Sequence, residues 1–288
     1  CKGELERSFE CPRCSNRCQV NRFRSGTQVF FFGDTCERYS SRGERQATEN
    51  LPEDTLATME QLLRDVAGLP VAAERTAPDR ALGIPRDPLP YALLPMWTAL
   101  ARAADREPVL SSRSSPEILG VGLRSLSAET CLPIKLTYGH VQDLVDRGVR
   151  TVLLPGVLDL PPREGEGDRS ETCPYTQHIP YMVRATLDAD LISPQVRISD
   201  PFPEAVDEPE RLAEQLGLGM DELGQAWEQG RSDLADYQRR LRELGERVLA
   251  RADDRVLVLM AKPYNLLDPF LNLSLGRHLQ RLGIPFLP

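Results

Sequence analysis

Ala81-Leu82-Gly83-Ile84, followed by Tyr91 to Ala104 and then by Pro108-Val109-Leu110-Ser111, is the stretch that decides the fold. The first run is short, apolar and enclosed between Pro78 and Pro90, which predicts a strand. Tyr91–Ala104 predicts a helix despite Pro95, and Pro108–Ser111 the next strand. Strand, helix, strand in that order points to a parallel sheet, because parallel neighbours need a crossover connection. Toward the C-terminus, Ser115-Pro116-Glu117 reads as a helix start, with serine as cap and proline in the first turn. Leu136–Arg147 predicts a helix stopped at Gly148, and the Val/Leu run Thr151–Val157 predicts a buried strand. Residues 161–170 read as a solvated loop, a helix follows Cys173, and a strand is expected near Leu191–Ser193. Toward the N-terminus, a polar stretch over 46–80 contains one helix at Asp54–Val66. There Leu56, Met59, Leu62, Leu63 and Val66 follow the 3.6-residue period, and Gly68 and Pro70 stop it.

Residues 207–252 change character, becoming rich in Glu, Arg, Leu and Gln. Leu234, Tyr237, Leu241, Leu244 and Val248 recur at steps of three and four, which predicts an amphipathic helix packing on its own domain. Arg255–Ala261 then starts a fresh strand, Asn265 and Asp268-Pro269 make a loop, Ser274–Leu282 a helix and Ile284–Leu287 a second strand. The expected fold is α/β. A Cys-rich segment (1–48) precedes a first parallel-sheet, Rossmann-like domain (49–200), a helical segment (201–252) and the start of a second α/β domain (253–288). The chain begins at Cys1 rather than Met and stops inside an apolar strand, so it reads as part of something longer.

With 41% hydrophobic and 27% charged residues, the 288-residue chain is neither disordered nor collagen-like. Its longest apolar runs, such as Val256–Ala261, fall far short of the roughly 18 residues of a membrane span, and no export signal is visible. A net charge of −8 argues against a nucleic-acid partner. The odd count of seven cysteines without an export signal argues against a disulfide scaffold and for a cytoplasmic setting.

Five of the cysteines crowd the first 36 residues. Cys11-Pro-Arg-Cys14 is a Cys-x-x-Cys step that turns two thiolates toward one ion, and Cys18 and Cys36 complete a four-thiolate set. Such a set suits tetrahedral zinc or an iron–sulfur cluster, and the ligands alone do not choose between them. A metal-pinned structural knob is the simpler role for it. The other two cysteines share a context: Glu129-Thr130-Cys131-Leu132-Pro133 and Glu171-Thr172-Cys173-Pro174-Tyr175. Proline belongs in a helix's first turn, so each thiol is expected at a helix N-terminus, where partial positive charge favours thiolates and bound anions. Two thiolates placed so at the ends of sheet strands could hold an anionic iron–sulfur cluster; the alternative is a pair of ordinary buried cysteines. Lys135, Tyr138 and His140 after Cys131, Tyr175, Gln177 and His178 after Cys173, and Lys262-Pro263-Tyr264-Asn265 are weaker site candidates, and no catalytic residue stands out. Phosphate-loop, dinucleotide-loop, nucleophile-elbow and His-Glu-x-x-His motifs are absent, so this stretch is not expected to hydrolyse ATP by itself.

These motifs together resemble a known family. Cys11-x-x-Cys14-x-x-x-Cys18 with Phe32-Gly33-Asp34-x-Cys36-x-Arg38-Tyr39-Ser40 is similar to the cysteine-rich segment of large 2-hydroxyglutaryl-CoA dehydratase activator-related proteins. Ile84-Pro85-Arg86, Glu129-Thr130-Cys131-Leu132-Pro133-x-Lys135, Gly139-His140, Leu154-Pro155, Cys173-Pro174-Tyr175, Lys262-Pro263-Tyr264-Asn265, Asp268-Pro269 and Asn272 resemble the region after it. That region is known as a CoA-enzyme-activase domain and is similar to 2-hydroxyacyl-CoA dehydratase subunits and double-cubane cluster reductases. The resemblance implies a module of an ATP-coupled, low-potential electron-transfer system, with an activator ATPase domain fused ahead of it. It implies Cys131 and Cys173 as ligands of a [4Fe-4S] cluster whose third ligand lies beyond Pro288. Lys135, His140, Tyr175, Lys262, Tyr264 and Asn265 would surround cluster or substrate, an acyl-CoA or another small molecule, with a homo-oligomer as a candidate assembly. The competing expectation is a non-catalytic, metal-stabilised adaptor that docks an activator ATPase onto a reductase partner.

Overall fold

The computed structural model describes residues 4–12, 17–34, 39, 51–69, 79–126, 129–160, 171–198, 200–252 and 255–288. The chain opens with an antiparallel ribbon of β1 (Glu4–Glu10), β2 (Gln19–Ser25) and β3 (Gln28–Phe32). Helix α1 (Thr55–Val66) follows, capped by Asp54, whose carboxylate accepts the Ala57 N–H at 3.1 Å. The decisive stretch then delivers β4 (Ala81–Ile84), a 3₁₀ turn (Pro90–Leu93), α2 (Leu94–Ala103) and β5 (Glu107–Leu110). Pro95 falls in the first turn of α2, where its missing N–H costs nothing, so the helix expected from Tyr91 starts three residues later.

Helices α3 (Pro116–Ser125) and α4 (Leu132–Asp146) lead to β6 (Thr151–Leu153) and β7 (Gly156–Asp159). The single strand expected over Thr151–Val157 is thus two, because Pro155 lacks the N–H that a ladder needs. Helix α5 (Pro174–Arg184), β8 (Asp190–Ile192) and β9 (Gln195–Arg197) come next. The helical segment is α6 (Pro209–Leu216) and α7 (Met220–Arg251), parted at Gly217, which adopts the left-handed conformation at φ +71°. Then come β10 (Leu257–Val258), α8 (Pro263–Leu267), α9 (Leu275–Arg281) and β11 (Phe286–Leu287). The strand expected over Arg255–Ala261 shrinks to two residues, paired in parallel with the two of β11. The loop expected at 161–170 lies outside the described residues.

The main sheet is fully parallel in the order β5-β4-β6-β8. The chain winds one way from β4 to β5 and the other way from β5 to β6, so the direction switches between β4 and β6. Helices accordingly cover both faces. Leu82, Ile84, Leu153 and Ile192 point into one core with α1, α2 and α7, while Ala81, Val152 and Leu191 point into the other with α4 and α5. Burial on both faces explains why these strands are continuously apolar. Helix α7 packs on this domain as its pattern predicts, with Tyr237, Leu244 and Val248 buried. Trp227 meets Trp97 of α2 edge to face at 6.5 Å, and a Cβ on Gly230 would lie 2.6 Å from the Met96 Cα, so the two helices cross with backbones close. Glycine also sets the α3–α4 crossing: a Cβ on Gly139 would stand 2.0 Å from the Ile118 carbonyl oxygen.

Candidate functional site

Parallel winding puts every strand's carboxyl end, and the N-termini of the helices that follow, on one edge of the sheet. Both sequence-matched cysteines are there. Cys131 is the N-cap of α4 and its carbonyl accepts the Lys135 N–H at 3.1 Å; Cys173 is the N-cap of α5 and its carbonyl accepts the Thr176 and Gln177 N–H groups at 2.8 and 3.1 Å. Proline occupies the first turn of each helix. Both thiols are exposed, so neither is the ordinary buried cysteine.

Beside α4, the same edge opens into a cleft of about 80 Å³ lined by residues following β4 (Arg86, Asp87) and β5 (Arg113, Ser114), by Glu60 of α1, by Pro133, and by Tyr264 and Asp268 of the C-terminal unit. Arg86 is its organiser. Its Nη1 donates to Glu60 Oε1 at 3.0 Å and to the Tyr91 hydroxyl at 2.7 Å, and its Nε donates to the Ser111 carbonyl at 3.2 Å. Tyr91 in turn donates to Glu60 at 3.2 Å, and burial pushes its phenol up to about 12, so it stays a neutral donor. Arg113 takes the other Glu60 oxygen at 3.1 Å. Arg64 of α1 is held below its ordinary pKa by burial and then by the like charge of Arg86, with Arg113 adding to it.

A second chain of hydrogen bonds runs beneath the cleft. The Arg86 N–H donates to Ser111 Oγ at 3.0 Å, Ser111 Oγ lies 3.1 Å from His140 Nδ1, and His140 Nε2 lies 3.0 Å from Ser114 Oγ. Ser114 Oγ donates to Asp268 Oδ2. Because the one Ser114 hydrogen goes to a carboxylate, His140 must donate from Nε2 and accept at Nδ1. Burial pushes the imidazole down to about 3, with the Arg86 charge adding to the effect, so it is neutral in this role. Asp87 is different. It is only 1% exposed, neither carboxylate oxygen makes a hydrogen bond of good geometry, and burial drives it up to about 7 against the weaker opposing effects of the Thr137 hydroxyl and the Leu89 N–H.

Of the residues singled out by sequence, Tyr264 lines the cleft and His140 supports it from below. Lys135 is turned onto Glu129 in an ion pair, Tyr175 is exposed on α5, and Lys262 is the exposed N-cap of α8, with Asn265 donating its N–H to the Lys262 carbonyl at 2.9 Å. None of these four lines the cleft. At the N-terminus, Cys11 is buried, Cys18 half-buried, and the Cys11 N–H bonds to the Cys18 carbonyl at 2.8 Å where β1 turns into β2. Cys14 and Cys36 lie outside the described residues. Among the described residues no three His, Cys, Asp or Glu side chains converge as a metal site, and no helix is long and apolar enough to cross a membrane. Glu60, Asp87, Arg113 and Ser114 were not foreseen. Their one sequence signal is Glu60, a carboxylate beside Met59 and Leu63 on the apolar face of α1, which calls for a buried cation.

A family model described as a CoA enzyme activase uncharacterised domain matches residues 81–288. No curated protein and no solved structure matches the chain.

Proposed function

Since the chain belongs to the CoA enzyme activase domain family, we propose that it serves acyl-CoA dehydratase activator chemistry as a dehydratase-like iron–sulfur module passing low-potential electrons. One observation carries this reading: two exposed thiols with the same local sequence cap two long helices at one edge of one sheet. Their chemistry fits half of a four-thiolate set, since exposed thiols at helix N-termini suit an anionic cluster. A cluster bound there supplies one-electron chemistry. The chain's own part is to orient both thiols through rigid helix starts and to hold the polar network of Arg86, Glu60, Ser111, His140 and Ser114 beside Pro133 of α4. Lys135, His140, Tyr175, Lys262, Tyr264 and Asn265 are the surrounding polar residues. The partner in this reading is an activator ATPase domain in the cytoplasm, and the substrate is an acyl-CoA or another small molecule. Assembly as a homo-oligomer belongs to the same proposal.

The ribbon favours a second role alongside or instead of the first. It leaves Leu5, Phe30 and Phe32 exposed on a strand surface, and Cys11 and Cys18 meet at its end, as a zinc- or cluster-pinned adaptor docking an activator ATPase would require. Iron, zinc and acid-labile sulfide, measured with a visible spectrum on protein purified without oxygen, separate the two. About four iron and four sulfide per chain, lost on Cys131→Ala/Cys173→Ala, support the cluster module. Zinc alone, unchanged in that variant, sinks it and leaves the adaptor.

A further inference from the structure

We infer that the cleft between Arg86, Arg113, Pro133 and Tyr264 is a binding site for a small oxyanion, a carboxylate or phosphate group on a ligand. The charge arrangement points outward. Glu60, the carboxylate at the cleft's base, has both oxygens taken, one by Arg86 and Tyr91 and the other by Arg113. The Asp268 oxygens are likewise occupied, by Ser114 and by the Phe270 and Leu271 N–H groups at 2.8 and 3.4 Å. Two guanidiniums, Arg86 and Arg113, thus share the Glu60 carboxylate on their side of the cleft. The Arg113 side chain remains 60% exposed at the mouth, with donors that Glu60 does not use.

Asp87 is the independent observation. A carboxyl group 1% exposed, with no hydrogen bond of good geometry to either oxygen and only the weaker influence of the Thr137 hydroxyl and the Leu89 N–H, is costly unless something completes it, and Asp87 lines this cleft. Protonated, it is a hydrogen-bond donor suited to an anionic oxygen beside it. The groups around it are consistent with that role. The Thr137 hydroxyl of α4 and the Tyr91 phenol carry no charge, the Arg86 and Arg113 guanidiniums line the same cleft, and the Glu60 and Asp268 carboxylates are engaged elsewhere. The ≈ 80 Å³ of room exceeds what one water needs and suits a single carboxylate or phosphate group. The site stands apart from the cluster reading, because it is measured on metal-free protein.

Calorimetric titration with sodium sulfate, which stands in for a phosphate group, and with sodium acetate, at constant ionic strength and pH 6, tests it. One saturable site is expected. Arg113→Gln should weaken binding roughly tenfold or more, and Arg113→Lys should restore part of it, because a charge-assisted contact is lost and then partly replaced. Arg124→Gln, on the exposed end of α3, should change nothing. Moving from pH 6 to pH 8 should weaken sulfate binding about tenfold in the native chain and leave Asp87→Asn unaffected. Preference for sulfate assigns a phosphorylated ligand and preference for acetate a carboxylate. No saturable binding of either anion overturns the inference, as does binding that Arg113→Gln leaves intact while circular dichroism shows a native fold.

Discussion

The N-terminal ribbon and the parallel-sheet region hold their cysteines in opposite ways. In the ribbon, only Cys11, Val20 and Asp34 are buried among the described residues, and the aromatic pairs Phe9–Tyr39 and Phe23–Phe32, at 5.2 and 5.7 Å, pack near the surface. A three-stranded sheet with so small a core is marginal without a further constraint. There, among the described residues, the Cys11 thiol stands where a core would be. In the sheet region two full cores cover the two faces, and Cys131 and Cys173 contribute to neither. Stability and thiol chemistry are separated there, which lets both cysteines stay exposed on rigid caps. Cys11 is shielded inside the ribbon, whereas Cys131 and Cys173 stand open to reagents outside two complete cores.

The contrast can be broken hardest at the core. Trp227→Ala should cost about 3–5 kcal/mol in urea unfolding of the sheet region, by removing the indole that meets Trp97. If the ribbon's tyrosine and phenylalanine signals are lost in the same transition, the two regions are one cooperative unit and the contrast fails. Next in size is Asp87→Asn. The folded-state carboxyl is raised from 3.8 to about 7, so its stabilising contribution is complete below pH 3.8 and lost as pH rises through 7. The variant should therefore gain up to about 4 kcal/mol over the native chain at pH 8 and nothing at pH 3, read from denaturation midpoints. A gain independent of pH would contradict this burial argument.

His140 works in the other direction. Its folded-state value is depressed from 6.5 to about 3, so stability present above pH 6.5 declines as pH falls toward 3. Between pH 7 and 5 the native chain should lose about 2 kcal/mol that His140→Gln does not lose. Equal losses in both chains would place the acid sensitivity elsewhere. Thiol labelling sharpens the contrast directly: a maleimide should modify Cys131 and Cys173 roughly tenfold or more faster than Cys11, because two are exposed and one is buried. Comparable rates, followed by mass spectrometry of peptides, would erase the distinction. The smallest effect is at a cap. Ser115 Oγ accepts the Ile118 N–H at 3.3 Å, and Ser115→Ala should cost about 1 kcal/mol, confined to the sheet region.

Much of this architecture was legible residue by residue. The apolar runs at Ala81–Ile84, Val152–Leu153 and Leu191–Ile192 marked parallel strands, and the paired Glu-Thr-Cys-(x)-Pro sequences marked two helix starts with a thiol on each. The strand break at Pro155 was signalled by its missing N–H yet read through, and the delayed start of α2 came from the same chemistry at Pro95. The cleft was largely illegible. Arg86 was visible within a motif, but nothing local told that Glu60, Arg113 and Asp268 would meet around it.

What the sequence determined by itself was whatever depends on neighbours a few residues apart: helix period, caps, turn-forming glycines and the two thiol positions. Those follow from backbone sterics and local hydrogen bonds, which act before any distant contact forms. Tertiary structure alone decided that Ser114 would reach Asp268 across 154 positions of chain, that His140 would be buried neutral between two serines, and that Asp87 would be sealed without a hydrogen bond of good geometry. Protonation and pairing there depend on the desolvation and charge that packing brings, and the sheet's parallel winding, by gathering every strand's carboxyl end on one edge, is what brings those residues together.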